Sequence, residues 1–156
     1  MKTMQNPESK LCLGNFPDPK EVRKTILGIL YRGQASHLGT NMSAVEILIS
    51  IFGSLDIKRV QLKENNRSRV LVSKGHCAAA TYATMAHYGL MGFETLHEYH
   101  KNGSFLAGHV SHAVEGVEHS TGALGHGLSV AVGCALGLRS RGIHDAPVFA
   151  LVGDGE

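Results

Sequence analysis

The spacing of apolar residues predicts a first amphipathic helix close to the N-terminus. Residues about one turn apart would share its buried face: Val22, Ile26, Ile29 and Leu30. Before them, Asp18 can cap the helix and Pro19 can occupy the first helical position, where the missing amide proton costs little. The helix is predicted to end near Gly33. Residues 1–17 show no period and are interpreted as an N-terminal arm.

A second helix is predicted after Ser43-Ala44-Val45-Glu46, which has the form of a capping box. Its apolar face would comprise Ile47, Leu48, Ile51 and Phe52. Further helices are predicted over residues 77–88, 93–100 and 124–141. The segment from Lys58 to Lys74 has six basic residues and one acid. It is interpreted as a solvated loop, with a positive rim near an anionic ligand as the alternative.

Two short, continuous apolar runs predict buried strands, at residues 70–72 and 148–152. Strands of this type that alternate with helices are typical of an α/β domain. The expected fold class is therefore α/β, with a mainly parallel sheet and helices on both faces. One domain over residues 18–156 would contain all of these elements.

Composition and charge narrow the class of protein. The chain has 156 residues, 43% of them apolar, which suits a single domain with one sizeable core. Fifteen basic residues against 13 acidic ones give a net charge of +2, too balanced for a protein that binds nucleic acid through its phosphates. Neither a signal peptide nor a run of about 18 apolar residues is present. We expect a cytoplasmic protein that binds neither nucleic acid nor membrane.

Candidate ligand-binding loops follow both predicted strands, where ligands bind in such sheets. Ser73-Lys74-Gly75-His76 opens a helix and could bind an anion through free backbone amides. In Gly153-Asp154-Gly155, the carboxylate could bind Mg²⁺ together with diphosphate oxygens, although a tight turn would give the same pattern. A third glycine-rich loop, residues 121–127, is either a further part of this site or a helix start packed on the sheet.

Taken in order, these motifs resemble the N-terminal, diphosphate-binding part of transketolase, especially the split form in which that part is a separate chain. The family's Asp-Arg-Phe-Val-Leu-Ser-Lys-Gly-His is similar to Ser68-Arg69-Val70-Leu71-Val72-Ser73-Lys74-Gly75-His76, and its Gly-Asp-Gly to Gly153-Asp154-Gly155. Five segments match in order, from about residue 20 to the last: 35–46, 68–76, 108–110, 116–127 and 153–155. The resemblance implies a thiamine-diphosphate-binding fold that is incomplete at its C-terminal end.

The resemblance also implies a function. Such an enzyme uses thiamine diphosphate and Mg²⁺ to move a two-carbon ketol unit between ketose and aldose phosphates. His37 and His109 would face the substrate, His76 would contact the cofactor phosphates, and Asp154 would ligate Mg²⁺. Backbone contacts to the cofactor are implied for a further set: Gly122, Ala123, Leu124, Gly153 and Gly155.

Departures from the family pattern leave the substrate open. Ser36 and Thr40 stand where the family has glycine, and Leu38 and Val110 where it has proline. All four lie in loops that meet substrate in the family, so the donor sugar is not implied. His126 replaces a common glutamine near the cofactor.

The sequence ends one residue after the Gly-Asp-Gly motif, before the family's second metal-ligating segment and its pyrimidine-binding domain. The expectation is a subunit whose partner chains supply these parts, or a piece of a longer subunit. Ser129, Gly133 and Gly137 form a stripe of small residues that could face such a partner or the chain's own sheet. Two functional alternatives stay open: a non-catalytic structural or regulatory piece, and a different ketol or acyl transferase such as a deoxyxylulose-phosphate-synthase-like enzyme.

Overall fold

A pair of parallel strands with helices packed around it organises the chain, in a computed structural model that describes residues 16–156. In that range the α-helices are α1 (Pro19–Arg32), α2 (Leu38–Met42), α3 (Val45–Gly53), α4 (Ile57–Gln61), α5 (Ala78–His87) and α6 (His126–Ser140). The strands are β1 (Arg69–Val72) and β2 (Val148–Leu151), and 3-10 turns span Gly75–Cys77 and Phe93–Glu98. The predicted arm lies outside the described residues except for Phe16 and Pro17.

The register of the strand pair explains how the sheet is buried. Arg69 is paired with Val148 and Val72 with Leu151. Because successive side chains point to opposite faces, one face joins the core formed with the helices. Its members are Val70, Val72, Phe149 and Leu151. Leu71, on the opposite face, is also buried, and α6 packs against both strands. The predicted α/β class with a parallel sheet is confirmed.

Helix α1 forms as its sequence predicts. The Asp18 carboxylate accepts a hydrogen bond of 2.9 Å from the amide of Lys20, and Pro19 begins the helix. The predicted apolar face is buried against α3 and α5: Val22, Ile26, Ile29 and Leu30. The helix ends at Arg32, one residue before the predicted Gly33.

The capping box predicted at Ser43 is wrong, although α3 is present. Ser43 ends α2 with helical backbone angles (φ −73°, ψ −13°), whereas an N-cap needs extended backbone. Ala44 therefore precedes α3, without a side-chain cap. The buried face of α3 is also displaced by one position, since Ile47 is half exposed and Ile49 is buried. Nearly every position of this helix is apolar, so helical spacing alone fits both faces.

The basic segment is not the solvated loop that was predicted. Its first part forms α4, which the Asp56 carboxylate caps at the amide of Arg59, 3.2 Å away. Further along, Arg67 donates two hydrogen bonds of 3.0 Å to the carboxylate of Glu118, and Arg69 lies 3.6 Å from the same group. These three side chains are only 12–19% exposed. Much of the positive charge is therefore paired rather than free for a ligand.

The remaining elements differ little from their predictions. The helix expected over residues 77–88 spans Ala78–His87, and the one expected over 124–141 spans His126–Ser140. The short helix expected at 93–100 is a 3-10 turn, Phe93–Glu98. Cys77 and Cys134 are free thiols. Across the described range, no helix combines the length and the apolar character needed to cross a bilayer.

Replacing Glu118 by Gln should destabilise the fold more than the same change at an exposed ion pair. Without the carboxylate, two poorly solvated guanidinium groups lose their counterion, which costs about 3 kcal/mol for a largely buried pair. Glu115→Gln is the matched control, because the Lys63–Glu115 pair is 67% and 75% exposed and should contribute less than about 1 kcal/mol. The measurement is urea unfolding of the full chain. Equal changes for the two variants would contradict the structural role of Glu118.

Candidate functional site

The carboxyl ends of β1 and β2 meet at one edge of the strand pair, and the candidate site lies at this edge. The amide of Lys74, just after β1, donates a 3.2 Å hydrogen bond to the carbonyl oxygen of Leu151 at the end of β2. The loop that carries His76 is thereby placed beside the Gly153-Asp154-Gly155 turn. Such an edge is where ligands bind in parallel α/β sheets.

Three of the predicted site histidines lie together at this edge. The ring centroid of His37 is 5.8 Å from that of His76 and 5.6 Å from that of His109. His37 and His109 are exposed, whereas His76 is partly buried. We call these three side chains the histidine cluster. They come from three distant parts of the sequence, so the fold brings them together.

The backbone of His37 has an uncommon conformation. Its φ is +71°, in the left-handed region that residues other than glycine seldom adopt. The carbonyl oxygen of His37 accepts hydrogen bonds from the hydroxyl of Thr40 at 2.8 Å and from the side-chain amide of Asn41 at 2.8 Å. These bonds hold the turn from which α2 begins, and so hold His37 toward the other two histidines.

The loop that carries His109 is fastened to α5 and to the His76 loop. The Tyr82 hydroxyl donates to the carbonyl of His109 at 3.3 Å and accepts from the amide of Ser111 at 3.1 Å. Burial raises the pKa of Tyr82 to about 12, so the hydroxyl keeps its proton at neutral pH. The amide of Val110 donates to the carbonyl of Gly75 at 3.1 Å. Tyr82 thus positions His109 from below.

The glycine-rich loop of residues 121–127 packs on the end of β1. The hydroxyl of Thr121 donates to the carbonyl of Val72 at 2.6 Å, and the amide of Gly127 donates to the hydroxyl of Ser73 at 3.1 Å. A Cβ atom added at Gly127 would lie 2.7 Å from the Cα atom of Ser73, so only glycine permits this approach. The loop therefore packs on the sheet as its alternative interpretation required, and it also reaches the site.

Gly122 lies next to the histidine cluster, since a Cβ atom added there would be 3.8 Å from the Cδ2 atom of His109. Gly122, Ala123 and Leu124 are all exposed. They precede α6, whose N-cap Gly125 has a φ of +79°. Backbone groups at the start of a helix are suited to bind anions, so this stretch fits the predicted contacts to a diphosphate.

The electrostatics of the site favour a neutral His76. Burial lowers the pKa of His76, and the nearby positive charges of Lys74, His37 and His109 lower it further. A neutral imidazole at pH 7 has one N–H donor and one acceptor. The Lys74 ammonium donates a 2.9 Å hydrogen bond to the hydroxyl of Ser43, which places a positive charge at the mouth of the site. Of the predicted positive rim, Lys74 is the part that the structure places here.

The residues predicted to bind Mg²⁺ and the diphosphate from β2 follow that strand in an exposed turn. Asp154 and Gly155 are exposed, and a Cβ atom at Gly155 would meet nothing within 4 Å. Within residues 16–156 no group of three or more His, Cys, Asp or Glu side chains forms a metal site. One carboxylate with open space beside it suits Mg²⁺, which is usually bound by one or two carboxylates together with phosphate oxygens and waters. The residues at this edge therefore fit a magnesium diphosphate.

Surface cavities lie elsewhere. Two that share Val60, Glu115 and Gly116, of about 200 and 300 Å³, are lined by α4 and residues from 112 to 118 and include no member of the histidine cluster. We place the site by its chemistry, because three imidazoles, a glycine-rich loop and a strand-end carboxylate lie at the edge where such sheets bind ligands.

Tyr82 and Asn41 are the site residues that sequence reasoning missed. Tyr82 is a single polar-tipped side chain in the alanine-rich α5, which is a weak signal for a buried hydroxyl with partners. Asn41 has no comparable signal, because an asparagine in a predicted loop is ordinary. Their roles follow from contacts between segments that are distant in sequence.

Comparisons with known proteins agree with this geometry. Residues 20–155 match the family model described as transketolase, thiamine diphosphate binding domain. One of the two subunits named for apulose-4-phosphate transketolase, from Phocaeicola vulgatus, is 39% identical over 137 residues, which are 86% of this chain and 48% of the relative. A 6-deoxy-6-sulfo-D-fructose transketolase subunit from a Clostridium species is 30% identical over 141 residues, 86% of this chain and 50% of that protein. The chain thus spans about half the length of these curated relatives.

Solved structures show the same likeness. A transketolase from Pichia stipitis superposes with a TM-score of 0.77 at 25% identity, over 88% of this chain and 22% of that one. A transketolase from Leishmania mexicana gives a TM-score of 0.70 at 26% identity, over 90% and 23%. The predicted resemblance is confirmed. The chain belongs to the transketolase family, as its N-terminal, thiamine-diphosphate-binding domain.

Proposed function

We propose that the chain is the diphosphate-binding subunit of a transketolase-like enzyme that moves a two-carbon ketol unit between ketose and aldose phosphates. The observation that carries the proposal is the histidine cluster at the carboxyl edge of β1, beside Gly122. The two relatives compared above are named as subunits of transketolases for apulose 4-phosphate and for 6-deoxy-6-sulfo-D-fructose. Sugars with an anionic group are therefore the substrates to test first.

The cofactor would be held at the edge formed by the two strand-end loops. Asp154 would ligate Mg²⁺, and the backbones of Gly153 and Gly155 would lie beside the diphosphate. His76 would donate a hydrogen bond to a phosphate oxygen, for which its neutral imidazole retains one N–H. The 122–124 backbone would line the other side. When bound, thiamine diphosphate stabilises a carbanion next to a former carbonyl carbon, which allows a carbon–carbon bond to be broken and remade.

His37 and His109 would act on the sugar. Both rings are exposed at the open side of the histidine cluster, where a substrate can reach them. An imidazole can donate a hydrogen bond to a ketose oxygen or exchange a proton with it near neutral pH. Because Tyr82 and the α2 turn hold the two backbones, the rings approach the sugar from fixed positions.

A partner chain would supply the remaining parts of the active site: the rest of the diphosphate-binding domain and the pyrimidine-binding domain. The exposed side of α6 supports this proposal. Four apolar residues repeat along it at intervals of four: Leu124, Leu128, Val132 and Leu136, each 48–64% exposed. Next to them, Gly133 and Gly137 have nothing within 4 Å of an added Cβ atom. Another backbone could approach this surface closely.

Co-expression tests the proposed function directly. The chain with the product of an adjoining reading frame should form a stable complex that binds thiamine diphosphate and transfers ketol units, whereas the chain alone should be poorly soluble or self-associated. Light scattering and a coupled assay with apulose 4-phosphate and related sugar phosphates provide the measurements. A soluble monomer that binds the cofactor unaided would contradict the need for a partner. A loaded complex without turnover on any sugar would favour the non-catalytic alternative.

Asp154→Asn should greatly weaken the Mg²⁺-dependent binding of thiamine diphosphate by the complex, because a neutral amide is a poorer ligand for a hard cation. We expect a loss of at least about tenfold in affinity by calorimetry. Asp145→Asn is the matched control, since Asp145 is also exposed and lies before β2. Unchanged affinity in Asp154→Asn would show that Asp154 is not a metal ligand.

The three histidines should separate into two roles. His37→Ala and His109→Ala should lower kcat by about 100-fold with cofactor affinity nearly unchanged, as for a lost acid–base group. His76→Ala should weaken cofactor binding first. Steady-state kinetics at saturating cofactor distinguish these effects, with the exposed His97→Ala as control. If all three variants lost cofactor affinity equally, the division of roles would be wrong.

A further inference from the structure

The side-chain amide of Asn41 joins three backbone segments while it is fully buried. Its Oδ1 atom accepts a 2.7 Å hydrogen bond from the amide of Ala80, in the first turn of α5. Its Nδ2 atom donates to the carbonyl oxygens of His37 at 2.8 Å and His76 at 3.4 Å. One side chain thus connects the segment that carries His37 with the segment that carries His76.

Thr40 makes a parallel pair of contacts. Its hydroxyl lies 2.8 Å from the carbonyl oxygen of His37 and 3.3 Å from that of His76. The backbone amide of Asn41 also donates to the His37 carbonyl, at 3.1 Å. A left-handed conformation at a residue other than glycine costs on the order of 1–3 kcal/mol. The three donors that converge on this one carbonyl offset that cost at His37.

The rings of the two histidines do not fix each other. His37 is exposed and its ring centroid lies 5.8 Å from that of His76, too far for close packing to determine their separation. The separation depends instead on the two backbones, and these are linked through Asn41. A buried amide whose two N–H groups and oxygen are all engaged has one orientation, so it transmits a fixed geometry.

We propose that Asn41 is a positioning residue that sets the distance between His37 and His76, and hence between the group that faces the sugar and the group that contacts the cofactor phosphates. The inference rests on the roles given to these histidines under the proposed function. Asn41 would act through two backbone carbonyls rather than by contact with a ligand, because its side chain is buried.

The test compares Asn41→Asp and Asn41→Ala with Thr81→Val in the full chain with its partner. The aspartate keeps an acceptor for the Ala80 amide and loses both donors. Thr81 is a buried control in α5, whose hydroxyl donates only to the local carbonyl of Cys77, at 3.0 Å. Three quantities are measured: thermal stability, kcat and KM for the sugar phosphate, and the imidazole NMR signals of the ligand-free protein.

Both Asn41 variants should lower kcat by between about 10- and 100-fold, as expected when reacting groups are misplaced by about 1 Å. They should also shift the imidazole signals of His37 and His76 while those of His97 and His144 stay unchanged. Thr81→Val should lose stability without either effect. Thr40→Val should shift the same two signals by less, and it provides the test if both Asn41 variants fail to fold.

Unchanged His37 and His76 signals in a folded Asn41 variant would overturn the proposal. A loss of activity no larger than that of an equally destabilised Thr81→Val would do the same. If the wild-type complex transferred no ketol unit, the proposed function would fail, whereas the imidazole signals would still decide the role of Asn41.

Discussion

The parallel pairing of β1 with β2 is the constraint on which the site depends. Because the strands run in the same direction, both carboxyl ends open at one edge, and the register that pairs Val72 with Leu151 brings the two following loops side by side. The Lys74–Leu151 hydrogen bond continues this pairing past the end of β1. An antiparallel pair would place the His76 loop and the Asp154 turn at opposite ends of the sheet.

Most of the polar contacts around the site are made to backbone atoms. Thr121 and Ser73 hold the glycine-rich loop against β1, Tyr82 holds the His109 loop, and Asn41 joins the other two histidine segments. Side chains that bond to buried backbone groups satisfy them and at the same time limit how the loops move. The histidine rings can therefore remain open to a ligand without losing their positions.

Local signals in the sequence were sufficient for most of the fold but not for the site's supporting contacts. Asp18 and Pro19 act next to themselves in the chain, so the start of α1 was predictable, and so was the short apolar run of β1. Ser43 was misjudged because α2 occupies the residues before it, and α4 was missed although Asp56 offers a cap. The histidines were found through family motifs. Their separation depends on contacts between residues some 35 to 40 positions apart, such as Asn41 to His76 and Ala80, which no local pattern shows.

A crystal structure of the assembled complex grown with thiamine diphosphate and Mg²⁺ tests the central claim most directly, namely that the cofactor and the sugar meet at the edge formed by β1 and β2. The account predicts diphosphate density beside His76 and the 153–155 turn, a metal ion on the Asp154 carboxylate, and open space at His37 and His109 for the sugar. Cofactor density at any other place on the chain, or partner side chains filling the histidine cluster, would contradict it.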